Sequence, residues 1–183
     1  MTVKHTNMTS ETTILLFCGI PASGKSYYGH WMKQTKGFLH FDLEHGALNG
    51  TDLKPLWDAL FSSDTDVAAE SFVRALTQLA HPVVLDWGFP ICCLPIVQSL
   101  KRTGVEVWWF DGNRDIARQD FISRGTGTIE RFDSQMADIR REWQAIERSV
   151  GTHIMNTVKV GSDHYVEPES VFPKLYEQQR QKD

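Results

Sequence analysis

Gly19-Ile20-Pro21-Ala22-Ser23-Gly24-Lys25-Ser26 fits the pattern G-x-x-x-x-G-K-[ST]. Residues of these types at this spacing form a phosphate cradle. A glycine-bounded loop aims successive backbone N–H groups inward, and a helix N-terminus behind it adds a dipole that favours anions. Lys25 supplies a charge that reaches β- and γ-phosphates, and the Ser26 hydroxyl can meet a Mg²⁺ bridging them. The bland alternative is a Gly/Ser turn with a solvated lysine. The run Ile14 to Cys18 in front, which reads as a buried strand, and the helical pattern behind favour the cradle.

Carboxylates recur where strands are expected to end. Asp86 closes the apolar run Val83-Val84-Leu85, the position from which a carboxylate holds Mg²⁺ directly or through water; the alternative is a turn aspartate before Gly88. Asp42 follows Phe38 to Phe41, where an acceptor hydroxyl could meet a γ-phosphate in line and pass its proton to the carboxylate. His40, Asp42 and Glu44 share a strand face by period two, which would suit a transition-metal site, but no further His or Cys pattern supports one. Asp111, before Gly112, reads as a turn residue. Seven of the ten arginines fall within residues 114–148, together with seven Asp/Glu, so the segment is not a basic patch. Arg118 and Arg124 approach Gly125-Thr126-Gly127, a hinge from which a lid near 118–135 could bring guanidinium groups onto transferring phosphate. Arg131, just beyond the hinge, has an equal claim to either a structural or a functional role, while Arg140, Arg141 and Arg148 fit solvated i, i+4 ion pairs.

The elements that must position these groups alternate. Strands are expected at Ile14–Cys18, Phe38–Asp42, Val83–Asp86, Val105–Phe110 and Ile154–Val160. Helical stripes lie between them: Tyr28, Trp31 and Met32 up to Gly37; Leu53 to Phe61 with Thr51 or Asp52 as cap; Phe72 to Leu79; Pro95 to Thr103; and Ile116 to Phe121 with Asn113 or Asp115 as cap. One long helix then carries Phe132, Met136, Ile139, Trp143, Ile146 and Val150, and a terminal helix spans Val171 to Gln178. Such alternation implies a parallel sheet covered on both faces.

At 183 residues and 41% hydrophobic, the chain supports one domain over 13–183, with a disordered polar tail over 1–12. Its 19 Lys+Arg against 23 Asp+Glu give no broad footprint for duplex nucleic acid. Cys18, Cys92 and Cys93 show neither a disulfide framework nor zinc spacing and fit a reducing, cytoplasmic setting. No apolar run approaches the ~20 residues of a membrane span.

From Ile14 to about Val160 the chain resembles the small P-loop kinases described as AAA-type kinase-like ATPases, relatives of polynucleotide 5′-kinases, chloramphenicol phosphotransferase and zeta toxins. The resemblance rests on the loop Gly19 to Ser26 with Pro21 in third place, on Asp42 and Asp86, and on Arg118 and Arg124 before a lid. It implies a three-layer α/β P-loop NTPase fold with a five-stranded parallel sheet in order 2-3-1-4-5, ATP with Mg²⁺, and an acceptor-activating acid at Asp42. The chain departs from the family where Ala22 replaces a common glycine and where Asp86-Trp87-Gly88-Phe89 forms an unfamiliar extension. A GTPase is disfavoured, since neither D-x-x-G nor N-K-x-D follows the expected strands.

The expected activity is transfer of the ATP γ-phosphate to a hydroxyl of a small molecule or nucleotide. Lys25, Asp42, Arg118 and Arg124 are the catalytic candidates, Gly19 to Ser26 the nucleotide site, and Ser26 and Asp86 the metal site. A polynucleotide 5′-hydroxyl kinase and a nucleotide-gated module without transfer are the alternatives. Six tryptophans could contribute an aromatic acceptor wall or simply core.

Overall fold

The computed structural model describes residues 12–62, 64–125, 127–158 and 164–177. Strand β1 (Ile14–Gly19) is buried at all six positions and forms the centre of the sheet. It pairs in parallel with β3 (Val83–Asp86) and β4 (Glu106–Asp111), while β2 (Leu39–Asp42) flanks β3 and β5 (Ile154–Asn156) flanks β4. The order is β2-β3-β1-β4-β5, as expected.

The period-two alternation of β1 builds both outer layers. Ile14, Leu16 and Cys18 pack on the side of α2 (Leu53–Ala59), α3 (Thr65–Thr77), α4 (Leu94–Arg102), α6 (Ile129–Arg141) and α7 (Trp143–Val150). Leu15 and Phe17 face Tyr28 and Met32 of α1 (Lys25–Lys36) and Phe172 of α8 (Pro168–Phe172). Each such buried side chain contributes about 1.5–3 kcal/mol, so the sheet between two layers is the rigid platform for everything at its carboxyl edge. The remaining helix, α5 (Arg114–Ser123), leads from β4 towards α6. Its N-cap Asn113 accepts the N–H groups of Asp115 and Ile116, and Gly37 ends α1 in a left-handed turn with its N–H on the Met32 carbonyl.

Four details differ from expectation. The long helix breaks at Glu142 (φ −97°, ψ 11°) into α6 and α7. The apolar stripe hides this break because Phe132, Met136 and Ile139 before it and Ile146 and Val150 after it enter the same core. Strand β5 stops at Asn156, whose Oδ1 turns back to accept the Val158 N–H; residues 159–160 lie outside the described part. The terminal helix starts earlier, at Pro168, and widens to π-helical pitch over Pro173–Glu177, where Pro173 has no N–H to donate; Gln178 lies outside the described residues. Neither candidate caps α2 through its side chain, and the Thr51 hydroxyl instead donates back to the Leu48 carbonyl. The tail expected over 1–12 lies outside the described part except for Thr12, and Thr126 of the hinge lies outside it too. Among the described residues no helix is long and apolar enough to cross a membrane.

Candidate active site

The phosphate-loop segment leaves β1 at Gly19, whose φ of 142° and contact with the neighbouring strand both demand glycine: a Cβ there would lie 2.0 Å from the Phe110 carbonyl oxygen. The next N–H, of Ile20, donates to that same oxygen at 3.1 Å. Gly24, at φ 88°, turns the chain into α1. Between them Ala22 holds φ 56°, the left-handed region, where a Cβ costs about 1–2 kcal/mol. The glycine missing from the motif is therefore missing at a position whose backbone still adopts the glycine conformation. Contacts from the body of the protein hold it there. The Tyr165 hydroxyl donates to the Ala22 carbonyl, and Thr157 Oγ1 lies 2.8 Å from the Ser23 carbonyl and 2.9 Å from that of Asp111. Burial pushes the Tyr165 phenol up to about 12, so it remains a donor at neutral pH.

Inside the loop, Lys25 is only 7% exposed, and its Nζ donates across the turn to the Ile20 carbonyl at 3.1 Å. Ser23 Oγ is buried and meets no hydrogen-bond partner. A buried cation satisfied by one carbonyl and a stranded hydroxyl fit a loop that closes on an anion. Ser26, the metal candidate, opens on the same cavity as Lys25.

The three strand-end carboxylates have separate fates. Asp86 is 2% exposed, its Oδ2 meets no hydrogen-bond donor, and the His40 Nε2 stands 3.7 Å away. Gly29 makes room for that imidazole, since a Cβ there would lie 2.4 Å from His40 Nε2. Such a stranded oxygen at the sheet edge suits a hard cation, which takes oxygen ligands. Asp42 is satisfied: Oδ1 accepts the N–H groups of Glu44 and His45, and Oδ2 lies 2.9 Å from His45 Nδ1. Asp111, expected in a turn, is instead the last residue of β4, paired with Asn156, and its Oδ1 accepts the Gly112 N–H at 2.8 Å.

A cavity of about 770 Å³ runs from Pro21–Tyr27 past Glu44, His45, Trp87, Gly88 and Ile91 to Phe121, Arg124 and Arg131. Neither Asp42 nor Asp86 is on its wall; the two residues that Asp42 positions, Glu44 and His45, are. Hydrogen bonding to Asp42 holds the His45 imidazole above its usual range. Burial raises the Glu44 carboxyl, whose Oε1 occupies the space a Cβ on Gly88 would need, 2.5 Å away. Arg124 lines the cavity, and so does Arg131. Arg118 does not: its Nε and Nη2 grip Asp133 at 2.9 and 3.1 Å, tying α5 to α6 beside the Phe121–Phe132 contact. Of the tryptophans only Trp87 reaches the wall, with Trp57 packed edge-on behind it at 4.9 Å.

Neither a family model nor a curated protein matches the sequence. Solved structures do match. Shikimate kinase from Acinetobacter baumannii, in complex with shikimate, superposes with a TM-score of 0.61 at 14% identity, over 94% of this chain and 95% of that one. The chain has the P-loop kinase fold. A gluconokinase from Sinorhizobium meliloti matches at 0.53 and 14% identity over 94% and 98% of the two chains. The tunicamycin resistance protein of Deinococcus radiodurans matches at 0.54 and 13% over 92% and 96%.

Sequence reasoning passed over the contacts that brace the loop, because Thr157 and Tyr165 act on backbone carbonyls and belong to no motif. His45 was missed for a different reason. Its signal was present, an imidazole three residues after a strand-end aspartate, but only the folded turn brings the ring to Asp42.

Proposed function

We propose that this protein is an ATP-dependent phosphotransferase that moves the γ-phosphate to a hydroxyl acceptor. The observation that carries the reading is the buried Lys25 spanning a loop of glycine conformation at the carboxyl edge of the sheet, with a buried aspartate whose oxygen is unanswered at the end of the adjacent strand β3. Gly19 to Ser26 would hold the β- and γ-phosphates, and Ser26 and Asp86 would hold Mg²⁺, which offsets charge on the phosphate oxygens when bound. Arg124 and Arg131 would close from the α5–α6 side as the lid moves, with Arg118 and Asp133 keeping those helices together.

In the reaction the acceptor oxygen bonds to the γ-phosphorus, the bond from that phosphorus to the β–γ bridging oxygen breaks, and ADP leaves with the electron pair. The hydroxyl proton goes to the Asp42–His45 pair, with His45 on the cavity and Asp42 fixing its Nδ1. Positioning and fixed charge supply the rest of the acceleration.

Calorimetry with ATP·Mg²⁺ tests the nucleotide site. The native protein should bind, and Lys25→Ala should lose that binding while its circular dichroism and melting remain those of a folded protein. Equal affinity in both would remove the assignment.

A further inference from the structure

The two segments that follow β2 and β3 line the same cavity and bring no lysine or arginine to it. No Lys or Arg occurs between Lys36 and Lys54 or between Arg74 and Lys101. What they place on the cavity wall is Glu44, His45, Trp87, Gly88, Pro90 and Ile91. The cavity cations lie on other elements: Lys25 on the loop, Arg124 at the end of α5, Arg131 on α6. All three serve the triphosphate in the reading above, on which this inference rests.

The acceptor side thus carries one carboxyl group, one imidazole and apolar surface, without Lys or Arg. Glu44 places a carboxyl group on the wall, and no donor among the described residues hydrogen-bonds it. Trp87, 6% exposed and packed against Trp57, Phe61 and Phe89, brings a small, rigid aromatic patch to the wall. An acid or phosphate on the acceptor would be desolvated here beside Glu44 with no Lys or Arg of its own, His45 being needed as the neutral proton acceptor, whereas an amine would find Glu44 and Trp87.

We infer that the acceptor is a non-acidic alcohol, uncharged or amine-bearing, with an apolar face that lies against Trp87. Hydroxy acids, sugar phosphates, nucleotides and the 5′-hydroxyl ends of polynucleotides are excluded by the same wall. The wall discriminates by repulsion and stranded charge as much as by attraction.

The test supplies ATP·Mg²⁺ and matched compounds: glucosamine, N-acetylglucosamine and 2-amino-1-phenylethanol against gluconate, shikimate, mandelate, a sugar phosphate and a short oligonucleotide with a 5′-hydroxyl. The expected result is transfer to members of the first set, with kcat/KM at least about a hundredfold lower for every member of the second. Glu44→Lys should narrow the ratio between an alcohol and its acid counterpart at least about tenfold. Transfer to any acid, nucleotide or oligonucleotide at a comparable rate overturns the inference, and so does silence from both sets in a protein that binds ATP·Mg²⁺. Absence of ATP·Mg²⁺ binding is a different failure, that of the phosphotransferase reading itself.

Discussion

Asp86→Asn separates stability from function in one substitution. The native residue is 2% exposed, and one carboxylate oxygen has no donor, its nearest imidazole nitrogen being 3.7 Å away. A buried acceptor without a partner costs about 1–3 kcal/mol. A neutral amide of the same shape is cheaper to bury and brings its own N–H donors towards His40. Recovering about 1.5 kcal/mol should raise the melting midpoint by roughly 3–6 °C at the ~2–4 °C per kcal/mol of a chain this size. The same variant should lose the stabilisation that ATP·Mg²⁺ gives the native protein, which at a hundredfold excess over Kd is about 2.7 kcal/mol, or roughly 5–11 °C. Differential scanning calorimetry with and without ATP·Mg²⁺ reads both effects. A variant that melts below the native protein in the absence of nucleotide, or that keeps the full nucleotide shift, refutes the reasoning that Asp86 holds an unanswered oxygen for a metal.

Three further perturbations follow from the geometry. Arg124→Ala and Arg131→Ala should each lower kcat by tenfold or more with little change in melting, whereas Arg118→Ala should leave kcat within about threefold, because its guanidinium is committed to Asp133; steady-state kinetics with both substrates varied decides it. Ala22→Gly should raise the midpoint by ~2–4 °C as about 1 kcal/mol of left-handed strain is relieved, a shift that thermal denaturation measures. Asp42→Asn should cut transfer by about 10²–10⁴-fold with ATP affinity near native.

That last variant also makes a pH prediction. The folded pKa of His45 is raised, by the Asp42 hydrogen bond first and then by the charges of Asp42, Glu44 and Asp86 against a smaller loss from burial. The pair therefore stabilises the fold fully below the unfolded value of about 6.5 and ceases to as pH rises through the folded value. Proton acceptance needs the neutral ring, so the acid limb of kcat in the native protein should lie above that value. Asp42→Asn should move whatever limb remains to lower pH, and an unmoved limb would show that another group accepts the proton.

The fold was legible because the central strands β1, β3 and β4 are apolar runs ended by a turn or a carboxylate, and Ile14 to Cys18 announces both layers through its alternation. The break at Glu142 was not, since a periodic stripe reports only which face is buried and both halves bury the same one. At the site, the loop and Asp86 were readable from a motif and a strand end. Arg118 and Arg124 were not separable by position, because six residues along α5 decide whether a guanidinium meets Asp133 or the cavity, and that depends on where α6 packs. Asp42 was placed correctly as a strand end, while its commitment to His45 depends on the tight turn that follows β2.

The most direct test of the central claim follows the phosphorus itself. With the native protein, ATP·Mg²⁺ and the set of non-acidic alcohols, ³¹P NMR should show the γ-phosphate signal replaced by a phosphomonoester resonance in step with ADP, and Lys25→Ala should show neither. ATP that binds yet yields only inorganic phosphate, or no change at all with every hydroxyl compound supplied, would contradict the account and mark the protein as a nucleotide-gated module.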